Sequence, residues 1–151
     1  AYCQDNPTGW LDWSRLEREK KLFSFVKELI ALRKAHPVLS QEKELLGMDQ
    51  ISCGVPDVSY HGAYAWQTPS EVSSRQLGVY YCGKMAGDED CFVAYNMHWL
   101  EHEFALPALP KGKKWYLVAD TKEGILAEEE PLENQREALL KDRTIAVFTG
   151  R

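Results

Sequence analysis

The chain has 151 residues with 23 acidic and 18 basic side chains, a net charge of −5, and its 44% hydrophobic content is enough for a packed core rather than a disordered tail. That length suits one domain, or a small domain with a piece of another. The acidic balance lacks the basic stripe of a nucleic-acid binder, and no apolar run approaches the ~20 residues of a membrane span, so neither nucleic acid nor a membrane is an expected partner.

Along the chain, Ser14-Arg15-Leu16-Glu17 has the pattern of a capping box, in which hydroxyl and carboxylate each satisfy an orphan backbone N–H. The helix it opens is expected to run to Ala35 or His36, where Pro37 disfavours further helix. At 100° per residue, Leu22, Phe23, Phe25, Val26, Leu29, Ile30 and Leu32 cover an arc of roughly 180°, more than a lone surface helix needs. Such a helix is expected to be clamped between two layers. Arg33 falls within the arc, so its stem can pack while its head needs a carboxylate or carbonyl.

From about residue 50 the period changes to two. Residues 76–82, 91–97, 102–106, 114–119 and 143–149 read as strands, separated by Gly87-Asp88-Glu89-Asp90, by a Pro107–Gly112 turn and by a long acidic connection. Short strands without intervening helices predict an antiparallel β-sandwich preceded by one long helix. Alternation puts Leu77, Val79, Phe92, Ala94, Trp115, Leu117, Ile145 and Val147 inward. The boundary is expected near Ser40–Leu46, giving a helical unit over 1–40 and a sandwich over 41–151. Around Glu128-Glu129-Glu130 the acidic run reads as a solvated loop.

The cysteines at 3, 53, 82 and 91 form no C-x-x-C pair, and the histidines at 36, 61, 98 and 102 do not join them in a zinc spacing. His98 and His102 flank Trp99-Leu100 in a strand–turn region, which does not suit a helical metal pair. No metal and no cofactor is expected. Cys82 and Cys91 end and begin neighbouring strands and can face each other, although free thiols in a reducing compartment, hence a cytoplasmic location, are the default expectation.

One set of segments carries more. Ala1-Tyr2-Cys3-Gln4-Asp5-Asn6 followed by Trp10-Leu11-Asp12-Trp13 resembles the signature of glycogen-debranching enzymes of the isoamylase and pullulanase branch, α-amylase superfamily, glycoside hydrolase family 13. Leu29–Pro37 resembles the last barrel helix of that family, with its Leu-Arg…His-Pro ending. Pro56-Asp57-Val58-Ser59-Tyr60-His61-Gly62 is similar to the segment these enzymes carry just after the barrel. Residues 74–83, 94–99 and 104–107, then Trp115 and Asp120-Thr121, continue in family order. After Asn6 the chain departs from the family's frequent Glu: it has Pro7-Thr8-Gly9, and Pro7 redirects the loop.

The resemblance implies the C-terminal part of a debranching hydrolase: the helix as the remnant of a (β/α)8 barrel, and a C-terminal sandwich that stabilises that barrel. The catalytic carboxyls of this superfamily lie at barrel strand ends, in motifs that no segment here matches. The catalytic set in this chain is therefore expected to be empty, and the chain alone to be inactive. Expected partners are branched α-glucan in the parent enzyme and the missing catalytic barrel. Asp5 and Asn6 either bond glucose hydroxyls or pin their own loop, and Trp10, like Trp13, either stacks on a sugar or wedges between barrel and sandwich. Tyr60, His61, Tyr64 and Trp66 line a glucan groove or bury against the barrel, the latter preferred. Asn96, His98 and Trp99 read as turn and core chemistry. The alternative to the hydrolase reading is an autonomous carbohydrate-binding sandwich, which would not need an apolar helix at 14–36. With the barrel wall absent, the helix is expected to drive self-association, or to leave residues 1–13 poorly ordered.

Overall fold

A computed structural model describes residues 2–71, 73–126 and 130–151. Two helices, α1 (Arg15–Arg18) and α2 (Lys20–Ala35), lead through a 3-10 turn at Pro37–Leu39 into eight strands. These are β1 (Val58–His61), β2 (Gln76–Tyr81), β3 (Asp90–Asn96), β4 (His102–Ala105), β5 (Trp115–Asp120), β6 (Gly124–Ile125), β7 (Glu137–Leu140) and β8 (Thr144–Gly150). A six-stranded sheet runs in the order β1-β2-β3-β8-β5-β6, and β4 and β7 form a second sheet. Every pairing is antiparallel. The architecture is thus the expected mainly β sandwich after a helical lead.

The sandwich core lies between the sheets. Across the large sheet Tyr80, Phe92, Phe148 and Leu117 stand in one register row, and Phe104, Leu106 and Leu140 cover them from the second layer. Gly78 is required there: a Cβ at that position would come within 2.3 Å of the Phe92 ring. Trp115, fully buried, donates its indole N–H to the Pro107 carbonyl at 2.8 Å, which removes the cost of sinking a polar atom in the core. A smaller cluster on the sheet's other face joins Cys91 and Val93 to Val38 of the 3-10 turn, with Tyr81, Tyr95 and Val147 beside it.

Phe92, Ala94, Trp115 and Leu117 point into the sandwich as expected. Leu77, Val79, Ile145 and Val147 do not. Leu77 pairs with Tyr95, Val79 with Val93 and Val147 with Val93 in turn, all on the second face, where Ile145, the partner of Tyr95, is exposed. The reason is physical: β2 and β8 carry apolar residues on both faces, so alternation alone does not set their phase. Glycine 78 and its ring neighbour do.

The capping box is also corrected. Ser14 is itself helical (φ −64°, ψ −20°) and makes no side-chain cap. Asp12 takes that role, its Oδ1 accepting from the Ser14 N–H at 3.1 Å and the Ser14 hydroxyl at 2.5 Å. The expected single helix is broken at Glu19 (φ −101°, ψ 24°). Downstream, α2 stops at Ala35 as Pro37 demands, and Arg33 Nε finds a carbonyl, that of Leu39, at 3.4 Å. The helix end is tied to the sandwich through Asp88, which meets His36 Nδ1 at 3.3 Å and accepts from the Val38 N–H at 3.1 Å.

No residue of α2 is buried. Phe25, Leu29 and Leu32 are half-buried, while Leu22, Phe23, Val26 and Ile30 are exposed. Of the acidic run, Glu128 and Glu129 lie outside the described residues and Glu130 is exposed. Among the described residues no helix is long and apolar enough to cross a membrane.

Candidate functional site

The loop before α1 holds the three residues expected to touch substrate. Asp5 Oδ1 accepts the Trp10 indole N–H at 2.5 Å, a bond that sets a carboxylate beside an exposed indole face. Asn6 turns the chain between them: its Oδ1 accepts from the Thr8 N–H at 3.0 Å, its carbonyl from the Gly9 N–H at 2.9 Å, and its amide donates to Gln4 Oε1. Asp5, Asn6 and Trp10 are therefore brought together by loop-pinning bonds, with Asp5 and Trp10 exposed and Asn6 half-buried. Asp12, the other acid of this loop, holds Ser14 and lies 3.6 Å from Arg15 Nε. Trp13, Leu11 and Tyr2 are exposed, so the loop is an apolar surface with two carboxylates set in it.

The segment around β1 is built differently. Asp57 is buried and accepts N–H bonds from Leu46 and Gly47 at 2.8 Å, Val58 at 2.7 Å and Met48 at 3.2 Å, with the Gln50 amide as a further donor. Burial pushes its carboxyl upward, and the N–H donors outweigh that, holding it below the usual carboxylate range. His61, fully buried, accepts the Trp66 N–H on Nδ1 at 2.7 Å, which leaves Nε2 as the N–H that meets Ser59 Oγ at 2.8 Å. Burial drives its pKa down to about 4. Both residues are therefore structural pins: Asp57 gathers the 46–50 turn, and His61 fixes the loop whose Trp66 takes a φ of 65°.

Of the aromatic cluster, only His61 is buried. Tyr60, Tyr64 and Trp66 are exposed, with Trp66 tilted against the His61 and Tyr80 rings at 5.0 and 5.7 Å. An open groove of about 390 Å³ runs beside Tyr64, Arg75, Gln76, His98 and His102. Asn96 closes the turn beyond β3, as its position suggests: its amide donates to the Leu100 and Lys141 carbonyls at 2.9 Å and to that of Leu140 at 3.3 Å. The His98 ring stacks on Trp99 at 4.1 Å and meets His102 edge-on at 4.7 Å. Among the described residues no three His, Cys, Asp or Glu side chains are grouped to hold a metal. Cys82 does not face Cys91, whose side chain lies on the other side of the sheet; it faces Cys53.

Asp57, Asp88 and Cys53 escaped sequence reasoning as individuals. Only Asp57 left a signal, a Pro-Asp step immediately before a strand, where a side-chain acceptor commonly organises the turn.

No family model matches the chain. Isoamylase of Pseudomonas amyloderamosa is 32% identical over 122 residues, 80% of this chain and 15% of the isoamylase. A glycogen operon protein GlgX homolog of Mycobacterium tuberculosis is 26% identical over 147 residues, 83% of this chain and 19% of its own length. The glycogen debranching enzyme of Erwinia tasmaniensis is 51% identical over 43 residues, 28% of this chain and 6% of the enzyme. Among solved structures, a pullulanase from Bacillus acidopullulyticus superposes with a TM-score of 0.59 at 17% identity, covering 91% of this chain and 15% of the pullulanase, which shows the fold. The chain thus spans less than a fifth of the length of these relatives. Signature loop, helix and sandwich, in that order, with these relatives, place the chain in the debranching-enzyme family as a counterpart of its C-terminal part.

Proposed function

We propose that this chain works as the C-terminal part of a glycoside hydrolase that cleaves α-1,6-glucosidic branches of glycogen or starch, its sandwich buttressing a catalytic barrel. The observation that carries this reading is the outward stripe of α2, where Leu22, Phe23, Val26 and Ile30 stand exposed although the helix's other side already faces the sandwich. An apolar surface on the order of several hundred Å² calls for a covering layer. In the assembled enzyme residues 1–40 belong to the barrel and 41–151 to the sandwich, and Asp5, Asn6 and Trp10 border the branched glucan. The exposure of Asp5 and Trp10 and the bond between them support that placement. Without the barrel the stripe pairs with a second copy of itself. A cytoplasmic location is supported by the four unpaired thiols.

Catalysis belongs to the barrel, so the chain alone releases no reducing sugar from pullulan. The test adds the purified chain to an isoamylase truncated of its matching segment. Restored α-1,6 hydrolysis is expected. A truncated enzyme that works equally well without the chain contradicts the reading, as does hydrolysis by the chain itself that an acidic-to-amide substitution abolishes.

A further inference from the structure

Two of the four thiols meet. Cys53 Sγ and Cys82 Sγ lie 3.6 Å apart, 29 residues apart in sequence, beneath the edge of the sandwich core. The approach is held from both sides. Cys82 follows the last residue of β2, and its N–H donates to the Asp57 carbonyl at 2.9 Å. Cys53 sits in a turn fixed by Asp49, whose two carboxylate oxygens accept the Cys53 and Gly54 N–H groups at 2.8 Å each. Left-handed Ser52 (φ 54°) and Gly54 (φ 92°) complete that turn. A disulfide needs sulfur atoms about 2.05 Å apart, so closure asks for a movement of roughly 1.5 Å, within the range of side-chain rotation.

The remaining thiols are elsewhere. Cys91 is buried on the opposite face of the sheet, and Cys3 is on the exposed loop before α1. We infer that Cys53 and Cys82 form a thiol-oxidation site that closes to a reversible disulfide when the chain meets a low-molecular-weight disulfide. Cys53, half-buried, is the thiol the oxidant reaches. Its thiolate attacks one sulfur of the oxidant, forming a mixed disulfide and releasing one thiolate. The Cys82 thiolate then attacks Cys53 Sγ, forming the intramolecular bond and expelling the second. The oxidant gains two electrons, leaves as two thiols once protonated, and the protein loses two hydrogens. Burial pushes the Cys82 thiol up to about 11, which makes it the poorer first nucleophile, and its attack on the mixed disulfide rests on the 3.6 Å approach to Cys53 Sγ. The closed bond ties the 46–57 turn and β1 to the end of β2.

The test exposes the folded chain to glutathione disulfide, alkylates the remaining thiols and digests with trypsin without reduction. Cleavage after Lys43, Arg75 and Lys84 puts the two cysteines in separate peptides, 44–75 and 76–84. The expected product joins these two peptides, lighter than their sum by two hydrogens, with Cys3 and Cys91 alkylated. Dithiothreitol restores all four thiols. In a Cys82→Ser chain the mixed glutathione disulfide accumulates on Cys53, and a Cys91→Ser chain cross-links as the native one does. Glutathione retained on Cys53 of the native chain overturns the proposal. So do a cross-link through Cys3 or Cys91, and four unreacted thiols after exposure.

Discussion

Asp57 shows how much one buried carboxylate can organise. It is surrounded by four backbone N–H donors and an amide, so replacing it by alanine takes the acceptor from the buried Val58 N–H and from four part-buried donors at once. Asp57→Ala is expected to cost about 3 kcal/mol or more, measured as a lower urea midpoint with unchanged slope. His61 makes a different prediction. Its folded pKa of about 4 lies below the unfolded value of 6.5, so between these the unfolded chain binds more protons. The stabilisation is whole above pH 6.5 and is lost as pH falls toward 4, by an amount on the order of 3 kcal/mol at about 1.4 kcal/mol per unit. Urea titrations at several pH values check this, and His61→Gln should flatten that part of the profile. Gly78→Ala forces a methyl into the Phe92 ring and should cost about 1–3 kcal/mol in the same assay. The Pro-Asp…His-Gly segment was visible in the sequence, but not these roles. Asp57 depends on residues 46–50 folding back over it, contacts spanning 7 to 11 residues that no apolar period records.

At the scale of elements, the strands with clear alternation were legible: β2, β3, β4, β5 and β8 fall within a residue or two of their expected spans. The missed strands are β1, β6 and β7. β6 has two residues, too few to show a period, and in β7, Glu-Ala-Leu-Leu, the exposed Leu139 between inward Ala138 and Leu140 breaks the apolar–polar alternation. A register shift between Leu117 and Ala119 adds a further irregularity, carrying Ala119 to the opposite face from Leu117. For α2 the spacing sets an apolar arc of about half the circumference, but which part of that arc faces the sandwich is not encoded in the period. The structure assigns Phe25, Leu29 and Leu32 inward and Leu22, Phe23, Val26 and Ile30 outward. Two double variants should therefore separate in sedimentation and melting experiments. Phe23→Lys with Ile30→Lys should abolish self-association and leave Tm nearly unchanged. Phe25→Lys with Leu32→Lys should lower Tm, because it places charge where the helix meets the sandwich. Equal behaviour of the pair would mean that the outward stripe is not the associating surface.

For the molecule as a whole, helix, 3-10 turn and sandwich form one continuous support. Val38 packs beneath Cys91 and Val93, Asp88 holds the His36 end of the helix, and the signature loop projects from the helix start with Trp10, Leu11 and Trp13 exposed. That surface sets the exposed aromatic and aliphatic side chains Tyr2, Trp10, Leu11 and Trp13 beside the exposed polar residues Gln4, Asp5, Thr8 and Asp12. The family signature made this organisation legible from the sequence, whereas the direction of the exposed stripe needed the folded chain. The most direct test replaces the matching segment of Pseudomonas amyloderamosa isoamylase with this chain and measures the rate of α-1,6 hydrolysis on a branched glucan. The account predicts a chimera that debranches within about tenfold of the parent, a loss under about 1.4 kcal/mol in the barrier, and that loses this activity when Phe23 and Ile30 are changed to Lys. A chimera that melts cooperatively yet shows no hydrolysis, or one indifferent to the two lysines, would contradict it.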